Sequence, residues 1–130
     1  MSASRLLTAE LREKLLANGR LSNSDFPPVV KFFNPAGAAT WLATELDCDE
    51  DTLFGIADLG FGCPEIGSFS LAELESVKLP FGLRIERDLH FSTDHRLSVW
   101  AEAARSSASI SKAEQILSAA RRTPSSQDDP

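Results

Sequence analysis

The chain has 130 residues, of which 42% are hydrophobic and 25% are charged. This composition is typical of one globular domain; it excludes a disordered chain, and no apolar stretch is long enough to span a membrane. Thirteen basic against nineteen acidic residues give a net charge of −6, which argues against a general phosphate-backbone binder.

The first predicted element is an N-terminal helix that Thr8 can cap and Gly19 can end. Its apolar residues recur every four positions, at Leu7, Leu11 and Leu15. Residues 20–28 are polar and end in two prolines, so they form a connection.

Four short strands follow, because runs rich in β-branched and aromatic residues alternate with turn signals. They are predicted at residues 29–33, 40–46, 52–59 and 66–69. Within the second strand the alternation places Trp41 on one face and both Leu42 and Leu46 on the other.

A short helix over residues 71–77 has the clearest local signal. Ser70 and Glu73 have the Ser-x-x-Glu spacing of a capping box, in which each side chain bonds a free N–H of the first turn. Pro80 and Gly82 end this helix, and a fifth strand is predicted within residues 83–91, centred on residues 88–91.

The C-terminal third is helical by its spacing. A helix over residues 96–105 has four inward residues, Leu97, Trp100, Ala101 and Ala104. Trp100 and the helix after it are expected to cover the sheet, with docking on a partner as the alternative. Ser111 and Glu114 repeat the capping-box spacing, which predicts the start of a second helix. Its apolar residues are Ile110, Ala113, Leu117 and Ala120.

Together these elements predict an α+β domain with a mainly antiparallel sheet of about five strands. The domain would comprise residues 6–105, followed by a C-terminal helical extension over residues 106–122. Residues 123–130 are polar and predict a disordered tail.

Several motifs in this order resemble the bacterial domain-of-unknown-function family 2958. They lie at residues 6–8, 30–33, 41–45, 53–55, 67–75 and 85–91, so the resemblance covers about residues 6–91. The resemblance implies a small single domain that is often encoded on plasmids and other mobile elements. It implies no activity and therefore no catalytic residue.

The distribution of charge provides the main functional hypothesis. No Lys or Arg lies between Lys31 and Lys78, whereas nine acidic residues do. If the strands and the capped helix are neighbours, the result is an acidic face that would attract a basic protein partner. The residues assigned to partner binding are Glu45, Asp47, Asp49, Glu50, Asp51, Asp58 and Glu65. The structural alternative is a solvated surface that keeps the protein soluble.

A rival hypothesis is a small hydrolase or metal-dependent enzyme centred on Glu86, Asp88 and His90. At a period of two these residues would share one strand face, where a carboxylate can orient an imidazole as a general base or metal ligand. The structural alternative is a polar outer face. No nucleophilic Ser or Cys is near in sequence, so no catalytic residue is assigned.

The alternating Asp47, Asp49 and Asp51 resemble the start of a calcium loop. The match fails at Thr52, where such a loop needs glycine, and at Asp58, where it needs a bidentate glutamate. We therefore expect an acidic hairpin turn, with no metal and no cofactor.

Basic residues support a third hypothesis, a nucleic-acid binder with a C-terminal basic face. Its candidates are Arg84, Arg87, Arg96, Arg105, Arg121 and Arg122. The net negative charge makes direct nucleic-acid binding the less favoured hypothesis.

Three further expectations concern the exposed aromatic residues, the two cysteines and the cellular location of the protein. Phe61 and Phe81 lie in Gly/Pro-rich connections, so we expect them to be the exposed aromatics, suited to a protein interface. Cys48 and Cys63 are far apart and show no metal spacing, which indicates reduced thiols. With no apolar run of signal-peptide length at the N-terminus, a cytoplasmic protein is expected. The sequence does not define an oligomeric state.

Overall fold

The structure is a computed structural model that describes residues 4–21 and 24–122. Its helices are α1 (Ala9–Gly19), α2 (Leu71–Ser76), α3 (Leu97–Ser107) and α4 (Ile110–Arg122). A short 3-10 turn spans Pro80–Gly82. Its strands are β1 (Val30–Phe33), β2 (Thr40–Leu46), β3 (Thr52–Asp58), β4 (Glu65–Ser70) and β5 (Glu86–Arg87). The predicted α+β class is confirmed. The predicted tail, residues 123–130, lies outside the described residues.

All five strands form one antiparallel sheet in the order β4-β3-β2-β1-β5. Strands β1 to β4 follow one another through short connections, because successive antiparallel strands need only hairpin turns. Strand β5 then pairs with β1 on the far edge. The outer edges of the sheet are therefore β4 and β5.

One face of the sheet is covered by the N-terminal segment, α1 and α2. Thr8 caps α1 as predicted, since its hydroxyl accepts the N–H of Leu11 at 3.1 Å. At the other end of α1, a Cβ on Gly19 would lie 2.3 Å from the carbonyl oxygen of Leu46. Only glycine permits this approach of α1 to β2. The buried residues on this face include Leu15, Phe32 and Trp41.

The opposite face is covered by the α3–α4 hairpin, which packs on Leu42 and Ile56. The four residues predicted to face inward from α3 are all buried, and Trp100 is only 2% exposed. The α4 residues Ile110, Ala113 and Leu117 are buried as well. The prediction that Trp100 and its helix cover the sheet is confirmed, and the fold has three layers.

A β-bulge in β2 corrects the predicted alternation. The pairing with β3 shifts between Ala43 and Glu45, so Thr44 is the extra residue, and its hydroxyl bonds the carbonyl of Phe54. Beyond the bulge every side chain changes face, because a one-residue shift reverses a period of two. Leu46 therefore packs with the α1 face and not with Leu42, as the unbroken alternation had predicted.

The fifth strand is shorter than predicted and lies earlier in the chain. It consists of Glu86 and Arg87, whereas the predicted centre at residues 88–91 is a turn. Asp88 closes that turn twice: its carboxylate accepts the N–H of His90, and its carbonyl accepts the N–H of Phe91. This side-chain-to-backbone bonding competes with strand pairing.

The start of α4 also differs from the prediction. The hydroxyl of Ser109, not that of Ser111, accepts an N–H of the first turn, from Lys112 at 3.0 Å. The preceding residue, Ala108, has a left-handed backbone (φ 66°) that ends α3. The capping box predicted at Ser111 and Glu114 was therefore wrong by two residues.

Candidate functional site

Four carboxylates lie in the connection between β2 and β3, at one end of the sheet. We call Asp47, Asp49, Glu50 and Asp51 the acidic turn. The first three are exposed and Asp51 is half-buried. Because β4 runs antiparallel to β3, its end at Ser70 and the start of α2 reach the same end of the molecule, where Glu73 is exposed as well.

Hydrogen bonds fix the backbone of the acidic turn. Asp49 accepts the N–H groups of Asp51 and Thr52 at 2.8 and 2.9 Å, and the Thr52 hydroxyl at 2.7 Å. The bonds from Thr52 and then Asp51 lower the pKa of Asp49, because they stabilise its charged form. Hydrogen bonds within the turn thus favour the charged form of Asp49.

Asp51 ties the turn to α2. Its carboxylate accepts the Ser70 hydroxyl and the N–H of Ala72, while Ser70 itself accepts the N–H of Glu73 at 3.1 Å. The Ser70 half of the predicted capping box is confirmed. Asp51 supplies a further acceptor to the first turn of α2, which local spacing could not show because it comes from another part of the chain.

One basic side chain reaches the acidic turn. Arg12 of α1 lies 3.1 Å from a carboxylate oxygen of Glu50. Basic residues from the two ends of the chain would neutralise the acidic turn if they folded over it. Arg12, however, pairs with one carboxylate of the turn, that of Glu50. The Arg12 side chain is largely buried whereas Glu50 is exposed, and the remaining carboxylates keep this end of the molecule negative.

The structure does not bring all seven predicted partner-binding carboxylates together. Asp58 and Glu65 lie at the far end of β3, seven residues or about 20 Å from the acidic turn. Asp58 is only 4% exposed, and its carboxylate accepts the N–H groups of Gly60 and Ile110. It holds α4 to the sheet and presents no charge to a partner.

Glu45 lies on a sheet face instead of in the acidic turn because of the bulge at Thr44. It pairs with Phe54 on the face covered by α3 and α4 and is partly buried. This burial raises its pKa, because a partly dehydrated carboxylate is harder to ionise. The surface available to a partner is therefore the acidic turn with Glu73.

Glu86, Asp88 and His90 do not share one strand face as predicted, because β5 ends at Arg87 and His90 lies in a turn. Asp88 lies 3.6 Å from the ammonium of Lys31, which contacts Glu114 at 2.7 Å. His90 meets Asp88 through its backbone N–H. Within residues 4–21 and 24–122, no three His, Cys, Asp or Glu side chains are close enough together to hold a metal.

A cleft of about 380 Å³ lies between the sheet and the start of α4. Three of its polar side chains have protein partners. Lys31 contacts Asp88 and Glu114, Asp58 accepts two N–H groups, and Ser109 caps α4. The cleft is of ligand size, but these groups hold the fold together.

The two predicted exposed aromatics are confirmed, at 84% for Phe61 and 98% for Phe81. Phe81 also has a left-handed backbone (φ 63°, ψ 26°), and Gly82 after it has φ 75°. The N–H of Leu83 bonds the carbonyl of Pro80, which closes a turn of type I′. The Gly/Pro context predicted the exposure of Phe81 but not its strained backbone.

The arginines of the nucleic-acid hypothesis are not gathered into one described surface. The guanidinium of Arg84 bonds the carbonyl of Glu75, and that of Arg87 bonds the carbonyl of Leu6 at 2.6 Å. Arg105 lies on α3, which covers the other face of the sheet. The side chains of Arg121 and Arg122 are outside the description.

Comparison with known proteins gave one match. A family model described as "Protein of unknown function (DUF2958)" matches residues 6–111, which extends past residues 6–91, where the resemblance was noted, to the start of α4. Neither the curated proteins nor the solved structures contain a match. Of the helices in the described part of the chain, none has the length and apolar character needed to cross a membrane.

Proposed function

The chain belongs to the DUF2958 family of proteins of unknown function, and from that premise we propose that it is a non-enzymatic binding protein. Its acidic turn, with Glu73, would face a basic protein partner. The setting we propose is an accessory role on a bacterial mobile element, which the family resemblance implies.

The observation that carries this proposal is a set of exposed carboxylates whose positions the backbone fixes. Asp49 and Asp51 bond five N–H or O–H groups and so hold the turn, while Asp47, Glu50 and Glu73 extend into solvent. A pre-organised charged surface loses less entropy on binding than a flexible one. Concentrated negative charge also accelerates encounter with a basic partner.

The structure defines which residues should be changed in a test. Substituting Asp49 or Asp51 would remove several hydrogen bonds that hold the turn. Asp47 and Glu50 each accept one, from the N–H of Cys48 and from Arg12. The test variant is therefore Asp47→Asn, Glu50→Gln and Glu73→Gln. The matched control, Glu65→Gln, Glu86→Gln and Glu102→Gln, removes the same charge from exposed positions elsewhere.

Both triple variants and the wild type are immobilised and used to recover proteins from a bacterial host extract at low and high salt. We expect the test variant to recover at least tenfold less of the salt-sensitive partner than the wild type does. The control should recover as much as the wild type. A purified recovered partner should then show the same order of affinities. Equal recovery by the wild type and the test variant would contradict the proposal.

A further inference from the structure

Strand β4 is an outer edge of the sheet and lacks the usual protection. It pairs regularly with β3 along all six residues, with no bulge to twist its outer side away. Residues 66–70 contain no charge and no proline, and Ile66 is 45% exposed. The other edge, β5, is protected by its length of two residues. An open, regular and uncharged edge is a template for another strand.

We propose that β4 pairs antiparallel with β4 of a second copy of this chain, centred on Ser68. A two-fold axis perpendicular to the sheet keeps each side chain on its own face, so one residue must lie opposite its own copy, with the axis midway between the two. Centring on Ser68 places Gly67 opposite Phe69 of the other copy, and Ile66 opposite Ser70.

Gly67 favours this register. No atom of residues 4–21 and 24–122 lies within 4 Å of the position that a Cβ on Gly67 would occupy, so the sheet surface there is open. Phe69 is half-buried on the same face and would lie across that opening from the second copy. An aromatic ring opposite an edge glycine shields its backbone, which is a known device for stabilising strand pairs.

Within the paired residues, charge does not oppose a second copy as the occupant, because residues 66–70 carry no charge. At each end of the pair, Glu65 of one copy lies near Ser70 of the other, which bonds Asp51. These carboxylates and the net charge of −6 on each copy oppose association. Salt screens that repulsion, so the dimer should strengthen as salt rises, whereas binding through the acidic turn should weaken.

The dimer should be weak, because five paired residues bury much less than the roughly 800 Å² per partner of a stable interface. We expect a dissociation constant on the order of 100 µM. Analytical ultracentrifugation at about 10 µM and about 1 mM should show a monomer and mainly a dimer, respectively.

Charge variants at Ser68 test the register. Ser68 is exposed in the monomer, so Ser68→Lys and Ser68→Glu should fold, which circular dichroism checks. Each variant by itself places like charges opposite each other and should dimerise several-fold more weakly than the wild type. An equimolar mixture should recover the dimer. Gln115→Lys, on exposed α4, is the matched control and should dimerise like the wild type.

A monomeric wild type at the higher concentration would overturn the proposal, as would a Ser68→Lys variant that dimerises normally or a mixture that stays monomeric. Strengthening of the wild-type dimer by salt supports it, and weakening contradicts it. The triple variant of the acidic turn should still dimerise, so this proposal and the proposed function can fail separately.

Discussion

Glu45 occupies a position where a carboxylate loses part of its hydration. It pairs with Phe54 on the sheet face that α3 and α4 cover, and this partial burial raises its pKa above the ordinary value of 4.5. A carboxyl with a raised pKa stabilises the folded protein when it is protonated. That contribution is fully present below the unfolded-state pKa and is lost as pH rises through the folded-state pKa.

The first prediction follows from the direction of the Glu45 pKa shift. Glu45→Gln should raise the free energy of unfolding at pH 7 by a small amount, about 0.5 kcal/mol or less, because the residue is still largely hydrated. The gain should disappear below pH 4.5, where Glu45 is itself neutral. Urea unfolding followed by circular dichroism across this pH range measures it.

Asp25 is the control for Glu45 because its shift has the opposite sign. The Ser98 hydroxyl bonds its carboxylate and lowers its pKa. Asp25→Asn should therefore destabilise the protein at pH 7, with the loss fading as pH falls below 3.8. If both variants changed stability in the same direction at pH 7, our assignment for Glu45 would fail.

Phe81 carries a backbone cost that no packing offsets. Its side chain is 98% exposed, and its left-handed conformation is unfavourable for a residue with a Cβ. Phe81→Asn should raise the free energy of unfolding by roughly 1 kcal/mol, because asparagine tolerates this conformation. Thermal unfolding is the measurement.

Phe61 is the natural comparison for Phe81. It is also exposed, but it is not among the described residues with a left-handed backbone. Phe61→Asn should leave the melting temperature nearly unchanged. A melting temperature that fell in Phe81→Asn would show that the exposed ring stabilises the monomer, contrary to our interpretation of the strain.

Among the elements, the start of α4 depends most on a distant residue. The buried carboxylate of Asp58 accepts the N–H of Ile110 at 2.9 Å and also holds Gly60. Asp58→Ala would leave that helical N–H buried without an acceptor. We expect the variant to lose about 2 kcal/mol in urea unfolding, the usual effect of an orphaned buried donor or a lost helix cap.

Glu65→Ala controls for the loss of an acidic residue at the same end of β3. Glu65 is exposed, so its removal should change stability by no more than about 0.5 kcal/mol. Equal stabilities for the two alanine variants would contradict the anchoring role of Asp58.

Elements that depend on residues close in sequence could be predicted, whereas those that depend on pairing with a distant segment of the chain could not. The Thr8 cap, the Ser70 cap and the inward face of α3 depend on residues a few positions apart. The bulge at Thr44 arises in the pairing of β2 with β3, and the short β5 arises from competition by the Asp88 turn. The spacing of residues within one strand indicates neither the bulge nor the short β5.

The candidate site shows the same limit at the scale of the whole molecule. The acids between Glu45 and Glu65 are close in sequence, which predicted one face. The antiparallel sheet instead places the acidic turn at one end and Asp58 at the other, and the bulge turns Glu45 under the helices. Exposure of Asp47, Asp49 and Glu50 was predictable; burial of Asp58 required knowledge of where α4 begins.

The α3–α4 cover also determines how a fragment of this chain should be cut for expression. The family match stops at residue 111, yet Ala113 and Leu117, which shield Leu42 and Ile56, come after it. A recombinant fragment trimmed to the match would keep α3 but lose most of α4, which would expose part of the apolar sheet face to water. We expect such a fragment to aggregate in the cell. Boundaries for a well-behaved sample should extend through the described part of α4.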